Sequence, residues 1–228
     1  SSDVCSSDLA RFVGTVRGAV GDRLDTLVWF QVPNARYVFG ERAFWDVYYE
    51  HCSYFSHGSL ARLFRGQGFD VLDLWTDYDD QYLMIAARPR TFTPVPPLPA
   101  EDDLAAVTAE VERFASTVPE IIHRWRKELA ELHDAGRRVV LWGGGSKGVA
   151  FLTTLGVGDE VAAVVDINPH KAGTFMAGSG HEIVSPDALV ELHPDLVIVM
   201  NPVYLDEIRA DLDARGLTPE LRPVSEPE

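Results

Sequence analysis

The feature that most constrains the fold is a run of glycines between a short apolar strand and a helical segment. Residues 138–142 read RVVLW and residues 143–148 read GGGSKG. Gly143, Gly145 and Gly148 therefore have a G-x-G-x-x-G spacing, in which glycines allow a tight turn and close approach of the backbone to a ligand. The helix that follows presents unpaired N–H groups to an anion. This order predicts the strand, turn and helix that open a wound α/β sheet.

The rest of the C-terminal half continues the same alternation. Apolar strands are predicted at residues 161–166 and 195–200, and helices at residues 186–192 and 204–215. Alternating strands and helices are typical of a parallel sheet with crossover helices. We therefore expect residues 137–228 to form a Rossmann-like parallel α/β domain.

A proline-rich stretch separates this domain from the first part of the chain. Residues 91–100 read TFTPVPPLPA, and proline removes amide donors and disfavours helix. Residues 102–134 then carry apolar side chains at three- and four-residue steps, which predicts a long helix that Pro119 kinks or splits. We expect residues 10–90 to belong to one domain and residues 91–136 to form a linker and helix.

The segment 10–90 has mixed patterns. Residues 27–32 (LVWFQV) predict a short buried strand, and a helix is expected from Ser59, as its N-cap, to residue 66. Two strands, 69–75 and 81–87, follow on either side of an acidic turn. A helix followed by two such strands can close the edge of a Rossmann-like sheet.

The glycine-rich turn is a candidate ligand site. Gly143, Gly145, Ser146 and Lys147 are the expected substrate-binding residues, with Lys147 adding positive charge for a phosphate. Asp166 ends the next strand, where a carboxylate can accept a hydrogen bond from a ribose hydroxyl. The alternative is a Rossmann-shaped domain in which the glycines serve only the turn.

A second candidate site is an acid–histidine cluster in residues 44–56, FWDVYYEHCSYFS. Glu50 and His51 are adjacent and can line one pocket on a tight loop. Histidine suits general-base catalysis near neutral pH, and Tyr48 can donate a hydrogen bond to a developing oxyanion. The alternative is a loop that packs aromatic side chains on the core. The cluster lacks ligand spacing for a metal, and Cys52 is expected to be a small buried residue.

Composition excludes several classes of function. The chain has 20 basic and 35 acidic residues and a formal net charge of −15, which disfavours nucleic acid and anionic membranes as partners. Two cysteines, Cys5 and Cys52, are too few for a disulfide framework or a four-cysteine zinc site. No membrane-spanning apolar run and no signal peptide are visible, so we expect a cytoplasmic protein.

The first nine residues differ in character from the rest. Residues 1–9, SSDVCSSDL, have no periodicity or apolar face and are similar to the translated read-through of a sequencing adapter. We therefore expect them to be non-native and the natural chain to continue upstream.

Several ordered motifs carry a resemblance to a known family. In the first half these are DVYYEHCSYFS, GSLARLF, GF, QYL and ARP. In the second half they are VVLWGGGSKGVAFL, VVDINPHKAG, SPDAL and PDLVIVMNPVYLDEI. Together they resemble the S-adenosylmethionine-dependent class I C-methyltransferases that act on nucleotide-linked deoxysugars. The resemblance extends over residues 28–216.

The resemblance implies a three-part organisation, in which this chain supplies the C-terminal part. Residues 10–90 would end the Rossmann-like methyltransferase domain, a long helix would follow, and residues 137–228 would be the second Rossmann-like domain. The family's zinc-binding cysteines and its glycine-rich S-adenosylmethionine motif would lie upstream of Ala10. The chain has a third glycine, Gly144, where the family more often has alanine.

The resemblance also implies an activity. Tyr48, Glu50 and His51 match the family's tyrosine-x-glutamate-histidine motif, in which the base removes a proton next to the ketone of a nucleotide-linked keto-deoxysugar. His51 would be the base, Glu50 would orient or replace it, and Tyr48 would stabilise charge on the ketone oxygen. Two rival interpretations remain open: an NAD(P)-dependent oxidoreductase built on residues 143–166, and a non-catalytic nucleotide-binding domain.

Overall fold

The computed structural model describes residues 8–225, which divide into two compact units. Residues 8–41 and 49–115 form the N-terminal unit. Residues 42–48 and 116–225 form the C-terminal unit. The short segment 42–48, hereafter the strap, thus belongs with the C-terminal unit although it lies early in the chain.

The N-terminal unit contains a three-stranded antiparallel sheet. Its strands are β1 (Val28–Pro33), β2 (Phe69–Asp77) and β3 (Tyr82–Pro89), in the order β1-β3-β2. The two strands predicted around the acidic turn are therefore observed as β2 and β3. Trp29 pairs with Ala86 in the register of β1 and β3.

Helices cover one face of this sheet. They are α1 (Leu9–Val20) and α3 (His57–Gly66), and between β1 and α3 lies the short α2 (Ala35–Gly40). The prediction of a buried strand at residues 27–32 was wrong in its burial: β1 lies at an edge of the sheet, and Trp29 is 68% exposed. Alternate residues of a strand point to opposite faces, so only one face of β1 packs on the core.

The start of α3 also differs from the expectation. Ser56, not Ser59, is the N-cap, and its side chain accepts from the backbone N–H of Ser59. The Ser59 hydroxyl in turn accepts from the backbone N–H of Ser56, which completes a capping box. A serine at the third helical position satisfies the cap amide reciprocally.

The long helix α4 (Leu104–Asp134) continues through Pro119, so proline does not split it. Pro119 has no N–H, and the carbonyl of Ala115 therefore lacks its usual donor. The division between the two units falls directly after Ala115. Past that point the buried face of α4 packs in the C-terminal unit through Val118, Ile121, Trp125 and Leu129.

The C-terminal unit is built on a parallel five-stranded sheet, which confirms the α/β prediction. The strand order is β6-β5-β4-β7-β8. The strands are β4 (Val139–Trp142), β5 (Ala163–Val165), β6 (Ile183–Val184), β7 (Leu196–Val199) and β8 (Glu220–Pro223). The helices beside them, after α4, are α5 (Ser146–Leu155), α6 (Leu189–Leu192) and α7 (Leu205–Ala214).

Numbered from β4 along the chain, the strands have the order 3-2-1-4-5, which is the order of the first five strands of a doubly wound Rossmann sheet. The direction of winding changes between β4 and β7, which are neighbours. Ligands of open α/β sheets bind outside the carboxyl ends of the strands at such a switch point. No helix within residues 8–225 is both long and apolar enough to cross a membrane.

Candidate functional site

The three glycines of the motif have different structural roles. Gly143 adopts φ +132°, and a Cβ there would lie 2.9 Å from Cβ of Met200. A Cβ on Gly148 would overlap the carbonyl oxygen of Gly143, because α5 packs closely on the turn. A Cβ on Gly145 meets nothing within 4 Å. The packing of the turn thus requires glycine at the two outer positions, Gly143 and Gly148. Gly145 instead leaves open space at the N-cap of α5.

A cavity of about 580 Å³ opens at this turn, at the switch point between β4 and β7. Apolar side chains from the strand ends and α7 form much of its wall. Each of the four predicted substrate-binding residues, Gly143, Gly145, Ser146 and Lys147, lines it. Tyr48 of the strap lines it as well. The structure therefore brings the glycine-rich turn and the tyrosine of the acid–histidine cluster to one cavity.

Acidic and apolar side chains also line the cavity. Glu207 and Asp211 of α7 line it, and Asp211 forms an ion pair with Arg215 at 2.6 Å. Ile167 and Tyr204 also line it and are 75% and 41% exposed. Carboxylates can accept from sugar hydroxyls, and exposed apolar side chains can pack on a base. The wall therefore suits the neutral, hydroxyl-rich parts of a nucleotide.

Asp166 is held by a neighbouring lysine. Lys171 Nζ donates to Asp166 Oδ2 at 2.8 Å and to the carbonyl of Gly144 at 3.0 Å. Asp166 Oδ1 accepts from the backbone N–H of Asn168 at 2.8 Å. Each oxygen expected to receive a ribose hydroxyl thus already accepts a hydrogen bond.

The additional glycine of this turn has a physical explanation. A Cβ on Gly144 would lie 2.9 Å from Asp166 Oδ2, so the glycine gives room for the contact of Asp166 and Lys171 with the turn.

Lys147 forms an ion pair that the sequence did not indicate. Its Nζ lies 2.7 Å from Asp46 Oδ2, and Asp46 is buried in the strap. Asp46 was not singled out in the sequence, because only the tertiary fold brings it to the first turn of α5. Lys147 thus lines the cavity while its charge is paired with a carboxylate of the protein.

The other two residues of the cluster belong to the N-terminal unit. His51 lines an apolar groove of about 320 Å³ together with Ser53, Phe55 and Tyr82. Its ring is edge-on to that of Tyr54, with centroids 6.2 Å apart.

Glu50 is exposed and is not among the residues that line this groove. The expectation that Cys52 is buried was wrong, since its side chain is exposed. The residues on both sides of His51 therefore face solvent while His51 itself lines the groove.

The described residues offer no metal site. Within residues 8–225, no group of three or more His, Cys, Asp or Glu side chains could hold a metal ion. The zinc that the resemblance implies therefore has no support in this part of the chain. Cys5 and the rest of residues 1–7 lie outside the described residues.

The resemblance places the S-adenosylmethionine motif upstream of the described residues. The glycine-rich turn they contain is followed by Asp166, whose oxygens already accept from Lys171 and Asn168. We assign none of these residues to the methyl donor.

The comparisons with known proteins agree with this architecture. Residues 98–216, just over half of the chain, match the family described as the C-methyltransferase C-terminal domain. The chain therefore belongs to the C-methyltransferase family, which confirms the family predicted from its motifs.

A relative within that class is the C-methyltransferase NovU of Streptomyces niveus. It is 28% identical to this chain over 193 residues, which cover 81% of the chain and 46% of NovU. The chain thus spans about half the length of this relative.

Proposed function

We propose that the protein containing this chain is a cytoplasmic C-methyltransferase. Its methyl donor is S-adenosylmethionine, and its acceptor is a carbon next to the ketone of a nucleotide-linked keto-deoxysugar. The observation that carries the proposal is the presence of Tyr48 in the wall of the cavity at the glycine-rich turn. One cavity thus combines an anion-binding helix N-terminus with a donor for a ketone oxygen.

The cavity accounts for recognition of the nucleotide. The N-terminus of α5 is favourable for a diphosphate, and the open space at Gly145 lets phosphate oxygens approach the backbone. Gly143 shapes the turn, Ser146 adds a hydroxyl, and Lys147 adds a positive charge that it shares with Asp46. Carboxylates and apolar side chains of the cavity wall then contact the nucleoside.

The acid–histidine cluster accounts for the chemistry. His51 takes the proton from the carbon next to the ketone, and the electron pair moves to the ketone oxygen as an enolate forms. Tyr48 donates a hydrogen bond to that oxygen. Glu50 orients the imidazole or acts as the base itself. The apolar groove around His51 limits access of water to the base.

The proposal is tested by methyl transfer from labelled S-adenosylmethionine to a thymidine-diphosphate keto-deoxysugar. In an active methyltransferase that contains this chain, His51→Asn should lower kcat by about 10²–10⁴, the usual cost of losing a general base. The affinity for S-adenosylmethionine should not change. The matched control is Cys52→Ser, an exposed neighbour, which should retain full activity. Wild-type turnover by His51→Asn would exclude this base, and binding of NADH by the C-terminal unit would favour the oxidoreductase.

A further inference from the structure

The strap is fixed to α5 by two independent kinds of contact. Phe44 stacks on Phe151 with ring centroids 5.8 Å apart and planes 18° apart, and Phe151 is edge-on to Trp125. Phe44 and Trp45 are 4% and 2% exposed. Beside this apolar anchor, Asp46 of the strap pairs with Lys147 at 2.7 Å. All of these residues belong to the C-terminal unit.

The ion pair is shielded from solvent, which makes the two charges depend on each other. The side chains of Asp46 and Lys147 are 8% and 22% exposed. Burying an ionised carboxylate costs free energy unless a cation lies beside it. Removing one member of a buried ion pair therefore leaves the charge of the other without a partner. The N-terminal turn of α5 also favours a negative charge beside it. Asp46 therefore holds the strap at one defined place on α5.

Tyr48 follows Asp46 after one intervening residue, the exposed Val47. Two residues span at most about 7 Å of extended chain, so fixing Asp46 restricts where Tyr48 can lie. Tyr48 is the residue of the strap that lines the cavity. A donor to a developing oxyanion is effective only when its place is fixed before the reaction.

We propose that the Lys147–Asp46 ion pair positions Tyr48 in the wall of the cavity. Besides the charge that it offers the nucleotide, Lys147 is then a positioning residue for methyl transfer, and its effect on kcat passes through the strap. This inference rests on the proposed function only in that Tyr48 acts on the ketone oxygen. The placement of Tyr48 itself can be measured without any substrate.

The structural test uses the 228-residue chain labelled with 3-fluorotyrosine. Its Tyr48 fluorine resonance is assigned from Tyr48→Phe. Lys147→Met and Asp46→Asn should each shift this resonance, and the double variant should shift it no further than the larger single effect. Lys147→Arg should restore it. The matched control is Lys171→Met, which removes a lysine that follows β5, donates to the carbonyl of Gly144 in the turn and pairs with Asp166.

Unchanged resonances of Tyr82 and Tyr204 show that each variant is folded. A Tyr48 resonance that stays at its wild-type position in both Lys147→Met and Asp46→Asn would overturn the proposal.

The kinetic test separates positioning from direct contact of Lys147 with the ligand. In an active methyltransferase that contains this chain, Lys147→Met and Asp46→Asn should lower kcat by similar factors of about 10–10². Neither should lower kcat further in a Tyr48→Phe background.

A kcat of Asp46→Asn equal to that of wild type, with Lys147→Met changed only by a higher KM for the nucleotide sugar, would leave Lys147 a ligand charge alone and overturn the inference. A shifted Tyr48 resonance without methyl transfer to any nucleotide sugar would refute the proposed function and support the positioning.

Discussion

At the scale of single residues, the glycines of one motif can be separated by what surrounds them. Gly148 lies where α5 meets the turn, and its missing Cβ is what permits that approach. Gly145 faces open space at the helix N-cap. The sequence motif contains glycine at both positions and does not distinguish them. In the structure, Gly148 is needed for packing, and Gly145 leaves room for a ligand.

This difference predicts opposite effects on stability. Gly148→Ala should destabilise the C-terminal unit by about 1–3 kcal/mol, because overpacking against a backbone oxygen outweighs the ~0.5–1 kcal/mol that alanine contributes within a helix. Gly145→Ser is the control, since serine is a favourable N-cap and has room there. Urea unfolding measures both. Equal stability of Gly148→Ala and wild type would show that α5 can move away from the turn without cost.

At the scale of elements, the proline-rich stretch is held by α3 and is not a free linker. Arg65 of α3 donates to the carbonyl of Val95 at 2.9 Å and to that of Pro96 at 3.1 Å. It also pairs with Glu101 at 2.7 Å, and Glu101 accepts from the backbone N–H of Leu98 at 2.9 Å. One guanidinium thus holds both the middle of the proline-rich stretch and Glu101, which follows it.

The environment of Glu101 predicts a pH dependence. Burial opposes its ionisation, but the hydrogen bonds from Arg65 and Leu98 and the charges of Arg65 and Arg62 outweigh it, so the pKa of Glu101 lies below the ordinary 4.5. A lowered carboxyl pKa stabilises the fold above the ordinary value, and this stabilisation is lost as pH falls through the lower pKa of the folded state.

Glu101→Gln should therefore cost about 1–3 kcal/mol of unfolding free energy at pH 7, the range for hydrogen bonds to charged groups. The difference from wild type should shrink as the pH falls below 4.5. Chemical unfolding at several pH values measures this. The control Glu131→Gln removes a carboxylate that is 67% exposed and should have little effect. If Glu101→Gln lowered the unfolding free energy equally at pH 3 and pH 7, the ion pair of Glu101 with Arg65 would be excluded as the cause.

The elements differ in how far the sequence predicts them. The core strands β4 and β7 were predicted because parallel strands buried on both faces are continuous apolar runs. The edge strands β6 and β8 were missed, because they are only two and four residues long and partly exposed. Cap geometry at Ser56 was placed three residues late because several serines compete for the role.

Only those parts of the candidate site that a short sequence motif marks could be predicted. The G-x-G-x-x-G spacing and the acid–histidine cluster are patterns within a few residues. Of these, the structure brings the glycine-rich turn and Tyr48 to one cavity, whereas Glu50 and His51 do not line it. The pairing of Lys147 with Asp46 joins residues far apart in sequence, so no spacing rule can find it. The exposure of Cys52 follows from the path of an irregular loop, which no periodicity describes.

At the scale of the whole molecule, the C-terminal unit does not begin at the first strand of its sheet. Trp125 and Leu129 of α4 are buried in it, and Arg126 donates to the carbonyl of Leu155 at 2.7 Å and to that of Thr154 at 2.8 Å. Phe44 of the strap stacks on α5 as well. A boundary at residue 137, as predicted from the sequence, would therefore separate the second half of α4 from the side chains and carbonyls that it contacts.

This packing predicts how fragments behave. A fragment of residues 137–228 should be at least about 3 kcal/mol less stable than one of residues 116–228, since losing a buried Trp side chain alone costs ~3–5 kcal/mol. Near-UV circular dichroism and urea unfolding compare them. Cooperative unfolding of both fragments at the same urea concentration would show that α4 is not part of the C-terminal core.

The proposed role of His51 is to remove a proton from carbon, and hydrogen exchange measures that step by itself. A thymidine-diphosphate keto-deoxysugar is incubated in deuterated water with an active enzyme that contains this chain, without methyl donor. Exchange at the carbon next to the ketone is followed by NMR. Wild type should exchange this proton, Tyr48→Phe more slowly, and His51→Asn slower by about 10²–10⁴. Exchange by His51→Asn at the wild-type rate would contradict the account and make Glu50 the base.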